Sequence, residues 1–164
     1  MAASRVWIVK ANEKPRQTRK RGWHWREFFE SPERWPWGGR EWVNSPVSMK
    51  HLRDSFRKGD TVVAWQAGEG IVGFLKAASD GYEEQEGSGR YNTFYVAASP
   101  CRGWTATPIS IDEVKESPIL RQMEALRMPR GTVFSVTPRQ WAEIRRLTKR
   151  HSLATDAQLR RFAP

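Results

Sequence analysis

Apolar and polar positions change period several times along the chain, and each change predicts an element. Val6-Trp7-Ile8-Val9, set between Arg5 and Lys10, is a short continuous run rich in β-branched and aromatic residues, the pattern of a strand in a buried sheet. Residues 61–67 and 71–78 repeat it on either side of Gly68-Glu69-Gly70, which predicts a hairpin, and Asp80-Gly81 ends its second arm. Further strands are predicted over 93–98 and, after Gly131, over 132–136. Elsewhere the period lengthens. Met49, Leu52 and Phe56 recur at helical spacing after Ser45-Pro46, with Gly59 expected to close that helix in a left-handed conformation. Ser110-Ile111-Asp112-Glu113 and Thr137-Pro138-Arg139-Gln140 each place a hydroxyl three residues before a Glu or Gln, the spacing at which side chain and backbone cap each other. The second also has proline at the first helical position. Ser117-Pro118 predicts a short helix over 119–126, and the last helix is predicted to bury Trp141, Ile144 and Leu147.

Strands interleaved with short helices make this an α+β chain. Its 164 residues suit one domain with a core of its own. We place that domain over 1–150, with a basic, aromatic insert at about 13–40 and a loosely attached tail over 151–164. No apolar stretch approaches the roughly 20 residues a membrane span needs, and Met1 to Lys10 lacks the apolar centre of a signal peptide, so a soluble cytoplasmic protein is expected. Cys101 stands alone, which excludes an internal disulfide and, without a Cys/His cluster, a structural zinc site.

Charge changes the picture more than composition does. The 28 Lys and Arg against 18 Asp and Glu leave a formal net charge of +10, which favours a polyanionic partner through phosphate contact and counterion release. The excess is concentrated. Lys14, Arg16, Arg19, Lys20 and Arg21 follow one another with Glu13 as the single acid beside them, and Trp23, Trp25, Trp35 and Trp37 come after. The last helix carries Arg139, Arg145, Arg146, Lys149 and Arg150 away from its apolar stripe. Interleaved basic and aromatic residues suit nucleic acid, because cations hold phosphates while rings stack bases. The four insert tryptophans fit either stacking on flanking bases or packing of the insert.

Catalytic and cofactor chemistry find no residues. Gly68-Glu69-Gly70-Ile71-Val72-Gly73 satisfies the dinucleotide glycine spacing, but that motif needs a helix after its glycines to bring an N-terminus to the pyrophosphate, and here a strand is predicted. His24, His51 and His151 lie far apart without acidic partners at ligand spacing, so no metal is expected. With no nucleophile elbow, P-loop or paired-carboxylate signature, we expect a protein that is not an enzyme and holds no cofactor.

The order of several segments resembles the EVE domain, a PUA-like relative of the YTH and ASCH modules. The resemblance covers most of the chain. It rests on Trp7-Ile8-Val9-Lys10, on Phe56-Arg57-Lys58-Gly59-Asp60, and on the hairpin Thr61-Val62-Val63-Ala64-Trp65 with Gly70-Ile71-Val72-Gly73. Pro108-Ile109-Ser110-Ile111-Asp112-Glu113-Val114-Lys115 and Val133-Phe134-Ser135-Val136-Thr137-Pro138-Arg139-Gln140-Trp141 complete it. Within it, Trp42-Val43-Asn44-Ser45-Pro46-Val47 is similar to the YTH segment that holds the first cage tryptophan and leads into a helix. Lys10-Ala11-Asn12 is similar to the step whose asparagine reads a base edge.

The resemblance therefore implies a small curved β-barrel with peripheral helices, and a base-binding pocket that includes Asn12, Trp42, Val43 and Ser45. Trp65 and Tyr82 join it as ring candidates by position, with Trp65 open between pocket wall and core, whereas the patterns around Trp7 and Trp141 point those rings inward. Lys10, Lys14, Arg16, Arg19, Lys20, Arg21 and Arg130 are the candidate contacts to the nucleic-acid backbone. Two departures bear on base preference: Trp65-Gln66 stands where EVE members usually carry tyrosine then histidine, and the insert from Arg16 to Trp37 is long. The expected function is a reader that accommodates a flipped, modified base in an aromatic cage. EVE domains imply a 5-methylcytosine type of base and YTH domains N6-methyladenine, in DNA or RNA. The alternative is a non-catalytic RNA-binding or targeting subunit of an RNA-processing or modification-dependent restriction complex, with a nuclease or NTPase as partner. Glu83 to Glu86 or the last helix would then make the contact.

Overall fold

The buried run near the start of the sequence becomes an inner strand of a mixed sheet. In the computed structural model, which describes residues 5–12, 24–25, 36–38, 46–77, 79–83, 91–97, 109–128, 131–151 and 160, β1 (Val6–Ala11) lies between β3 (Thr61–Gln66) and β8 (Val133–Val136). It runs parallel to β3, with Ile8 beside Val63 and Ala11 beside Gln66, and antiparallel to β8. A parallel pair needs a crossover connection, and this one contains β2 (Pro36–Gly38) and the helix α1 (Pro46–Asp54). β4 (Gly70–Ala77) turns back beside β3. With β5 (Tyr82–Glu83), β6 (Tyr91–Ala97) and β7 (Ile109–Ser110) the order is β2-β6-β4-β3-β1-β8, with β5 on β6 and β7 on β4. Among the described residues no ladder joins β2 to β8; what is seen is a mixed sheet with helices, an α+β fold.

Alternation along β1 divides the core in two. Val6 and Ile8 face one cluster, and Trp7, Val9 and Ala11 face the other. The first cluster is covered by α2 (Ile111–Glu116), the 3-10 turn Leu120–Gln122, α3 (Glu124–Arg127) and α4 (Pro138–Arg150), which contribute Val114, Leu120, Ala125, Trp141, Ile144 and Leu147. The second is covered by Leu52 and Phe56, from α1 and the chain just after it. Ser48 seats α1 on β8: its Oγ accepts the backbone N–H groups of Thr132 and Val133 at 3.0 and 2.9 Å. Asp60 ties the starts of β1 and β3 together by accepting from the Arg5 and Arg57 backbone and from the Trp7 indole at 2.8–2.9 Å. No helix among the described residues is long and apolar enough to cross a membrane.

Both predicted capping boxes form, Ser110 with Glu113 and Thr137 with Gln140. Two expectations change. The helix expected over 119–126 is broken at Met123, whose ψ of 138° is extended; breaking there lets Leu120, Met123 and Ala125 all reach the core. Gly59 has the left-handed φ of 89°, but α1 already ends at Asp54, so Gly59 turns the chain into β3 instead of capping the helix. Gly70 is required by contact: a Cβ there would lie 2.1 Å from the Ile109 carbonyl oxygen on β7. The glycine pattern 68–73 thus runs into β4, and no helix N-terminus follows it.

Candidate nucleic-acid interface

Because β1 and β3 are parallel, their carboxyl ends emerge at the same edge of the sheet. The Ala67 N–H donates to the Ala11 carbonyl at 2.8 Å, which continues the ladder one step past Gln66 and leaves Asn12, half-buried, at that edge. The Trp25 ring packs into the second cluster beside Val9, Ala11 and Ala64 with 0% exposure. Its backbone N–H donates to Gln66 Oε1 at 3.0 Å and its indole N–H to the Val9 carbonyl at 3.2 Å. Burying an indole removes roughly 150–250 Å² from water, an upper bound of about 4–6 kcal/mol at about 25 cal/mol per Å². The preceding His24 holds Nε2 3.7 Å from Glu69 Oε1, in the turn between β3 and β4. Four pieces of chain therefore meet at one edge: the ends of β1 and β3, the hairpin turn, and residues 24–25.

The residues expected at the site fall into three groups. Asn12 is at this edge. Trp65 and Lys10, register partners on the neighbouring strands, point to the opposite face. Trp65 is 3% exposed in the first cluster with Ile8, Val63, Ile71 and Phe134, so here it is a core ring. Lys10 sends its ammonium to the Met128 carbonyl at 3.3 Å and over the Phe134 ring at 5.1 Å, and burial holds its pKa below the usual lysine value. Tyr82 opens β5 opposite Asn92; at the preceding Gly81 a Cβ would meet the Leu52 carbonyl oxygen at 2.3 Å, which puts this strand against α1. Trp42, Val43, Ser45, Lys14, Arg16, Arg19, Lys20, Arg21 and Arg130 lie outside the described residues, as do Trp23 and Trp35.

Sequence reasoning missed Trp25, Gln66, His24 and Glu69 as a group. Trp25 was open between stacking and packing, and it packs. The available signal was Gln66, an amide in the last position of a strand whose other side chains are nearly all apolar.

On the first face, α4 presents Arg139, Arg146, Lys149 and Arg150 to solvent. Arg146 is bidentate to Glu143 at 2.8 Å, and Glu143 also accepts from the Ser117 hydroxyl at 3.0 Å. A cleft of about 360 Å³ between α2 and α4 is lined by Glu113, Glu116 and Glu143 as well as Arg146 and Arg150. Three carboxylates against two guanidiniums leave its lining net acidic, which disfavours a phosphate. Among the described residues there is no group of three or more His, Cys, Asp or Glu side chains placed to hold a metal ion.

A mixed sheet clothed on both faces, with a polar edge where its parallel strands end, defines an α+β domain of a recognisable kind. The chain belongs to the EVE domain family, whose model matches residues 5–147. No curated protein matches it by sequence. Among solved structures it is similar to protein Atu2648 of Agrobacterium tumefaciens, with 20% identity, 88% of this chain and 92% of that one covered, and a TM-score of 0.68. Rpa0253 of Rhodopseudomonas palustris shares 22% identity over 87% and 92% of the two chains at a TM-score of 0.65. Human THYN1, in complex with DNA containing 5-methylcytosine, shares 14% identity over 88% and 97% at a TM-score of 0.64.

Proposed function

We propose that this chain is a DNA reader that draws one base, a cytosine carrying a 5-methyl type of modification, out of the stack and holds it at the carboxyl ends of β1 and β3. The observation that carries the reading is the fold shared over nearly the whole chain with human THYN1, a protein seen with 5-methylcytosine DNA. The polar edge supports it with an amide, Asn12, suited to a base edge. In this reading Trp42 and Tyr82 supply rings and Val43 and Ser45 line the pocket before α1, while Trp65 belongs to the core on the other face. Lys14, Arg16, Arg19, Lys20, Arg21 and Arg130 hold phosphates, and closure of the sheet into a curved barrel would complete the pocket wall. Extruding a base costs a few kcal/mol, which stacking of about 1–3 kcal/mol per base and phosphate contacts offset. The chain itself does no chemistry in this reading; cleavage or remodelling of the marked site would fall to a nuclease or NTPase partner.

The test is a titration of the purified chain with matched oligonucleotides carrying cytosine, 5-methylcytosine, adenine or N6-methyladenine, as DNA and as RNA. Tighter binding of the 5-methylcytosine DNA is expected. Equal affinity for all of them would refute the reading, and preference for N6-methyladenine or for RNA would redirect it to those partners.

A further inference from the structure

We infer that Trp25 and Gln66 are positioning residues for base recognition: together they lock the carboxyl ends of β1 and β3 and so set where Asn12 is presented. The inference rests on the reading above, but its geometry stands independently. Trp25 bridges the two parallel strands. Its indole N–H reaches the β1 backbone at Val9, and its own N–H reaches the side chain of Gln66 on β3. Gln66, 1% exposed, is the register partner of Ala11, the residue before Asn12. The Ala67 to Ala11 backbone bond adds one rung beyond that pair.

Strand ends are where local opening is least costly, because fewer neighbours hold the backbone there. Here that end is covered by Trp25, whose buried indole donates to β1 and whose backbone N–H donates to β3. Asn12 lies only three residues past Val9, so a shift of that anchor is passed along a short, extended stretch to the amide. Edge recognition depends on donor and acceptor placement within a few tenths of an ångström, whereas phosphate contact does not. Trp25 and Gln66 should therefore govern which base is held more than how strongly the chain is held to DNA.

Trp25→Phe keeps an apolar ring and removes the donor to Val9, and Gln66→Met keeps the volume and removes the acceptor for the Trp25 N–H. Each folded variant is titrated with the cytosine and 5-methylcytosine duplexes, and amide hydrogen exchange is followed. The expected result is a loss of about fivefold or more in the preference for the modified base, the scale of one misplaced edge contact. The salt dependence should stay unchanged, and exchange should speed up at Asn12 and Ala67 but not at Val62 to Ala64. If Trp25→Phe fails to fold, Gln66→Met, which leaves the ring in place, carries the test. Variants that melt lower but keep the wild-type preference and local exchange overturn the inference and leave the reader function standing. A wild-type chain without base preference removes the reader function; faster exchange confined to Asn12 and Ala67 in the variants would then still establish the clamp, and unchanged exchange would overturn it.

Discussion

The two faces of the sheet are assembled by different rules. The face under α4 is built from one stretch of chain, 109–151, whose helices are stopped and started by their own capping side chains and whose apolar stripe is periodic. The face under α1 is built from pieces far apart: Trp25 bonds to residues 16 and 41 positions away, and Ser48 to residues 84 and 85 positions away. The first face is a packing problem solved locally, and the second is a convergence of strand ends, a turn and an insert. Stability should therefore be most sensitive on the first face, and recognition on the second.

Trp141→Ala should break the comparison hardest. The ring is buried edge-on to Phe74 with centroids 5.3 Å apart, and removing a core tryptophan costs about 3–5 kcal/mol. Urea denaturation should show that loss, while the fraction still folded keeps the wild-type base preference. A changed preference would mean that the two faces are not separable. Asp60→Ala is expected next, at about 2–4 kcal/mol, because three buried or half-buried N–H donors lose their acceptor at once. It should melt the starts of β1 and β3, the edge opposite Asn12; a loss below about 1 kcal/mol in the same titration would show that water replaces the carboxylate there.

Much of the first face was legible from sequence, since a hydroxyl three residues before Glu or Gln and apolar positions at helical spacing are local signals. The break at Met123 was not legible, because only the tertiary position of Leu120 and Ala125 rewards an extended residue there. The second face was legible in its strands, but not in Trp25. A tryptophan among arginines looks like a surface stacker until the neighbouring strand ends are in place. Trp65, open between pocket wall and core on sequence, is decided by the two-residue repeat of β3, which sends it to the face of Val63.

Trp42→Ala sharpens the recognition half of the comparison. In the proposed pocket the ring stacks on the base, so its loss should lower affinity for the modified oligonucleotide by roughly five- to a hundred-fold, equivalent to about 1–3 kcal/mol. Circular dichroism should remain native, since Trp42 lies outside the apolar stripe of Trp141, Ile144 and Leu147. A variant with unaltered preference would remove Trp42 from the cage and leave Tyr82 as the ring to test.

The smallest expected effect is one of pH, and it belongs to the first face. Burial raises the Glu113 pKa, but hydrogen bonds from His151 and from the Ser110 backbone and hydroxyl outweigh it and hold the carboxyl below the usual glutamate range. A carboxyl held low binds its proton less readily in the folded chain than in the unfolded one. The stability it contributes is thus present at neutral pH and is lost as the pH falls below the unfolded glutamate value and through the folded one. Glu143, lowered by its hydrogen bond from Arg146, acts in the same direction from the other wall of the cleft. Both carboxyls are partly exposed, so solvent screening keeps the contribution small. Thermal melts of Glu113→Gln between neutral and acid pH should start below wild type and converge on it as the pH drops, because the wild type loses what the variant never had. Melting curves that coincide across that range would show that the contacts among Ser110, Glu113 and His151 add nothing to the joining of α2 and α4, while a base preference set at the other face, as proposed, should stay constant in both proteins wherever both are folded.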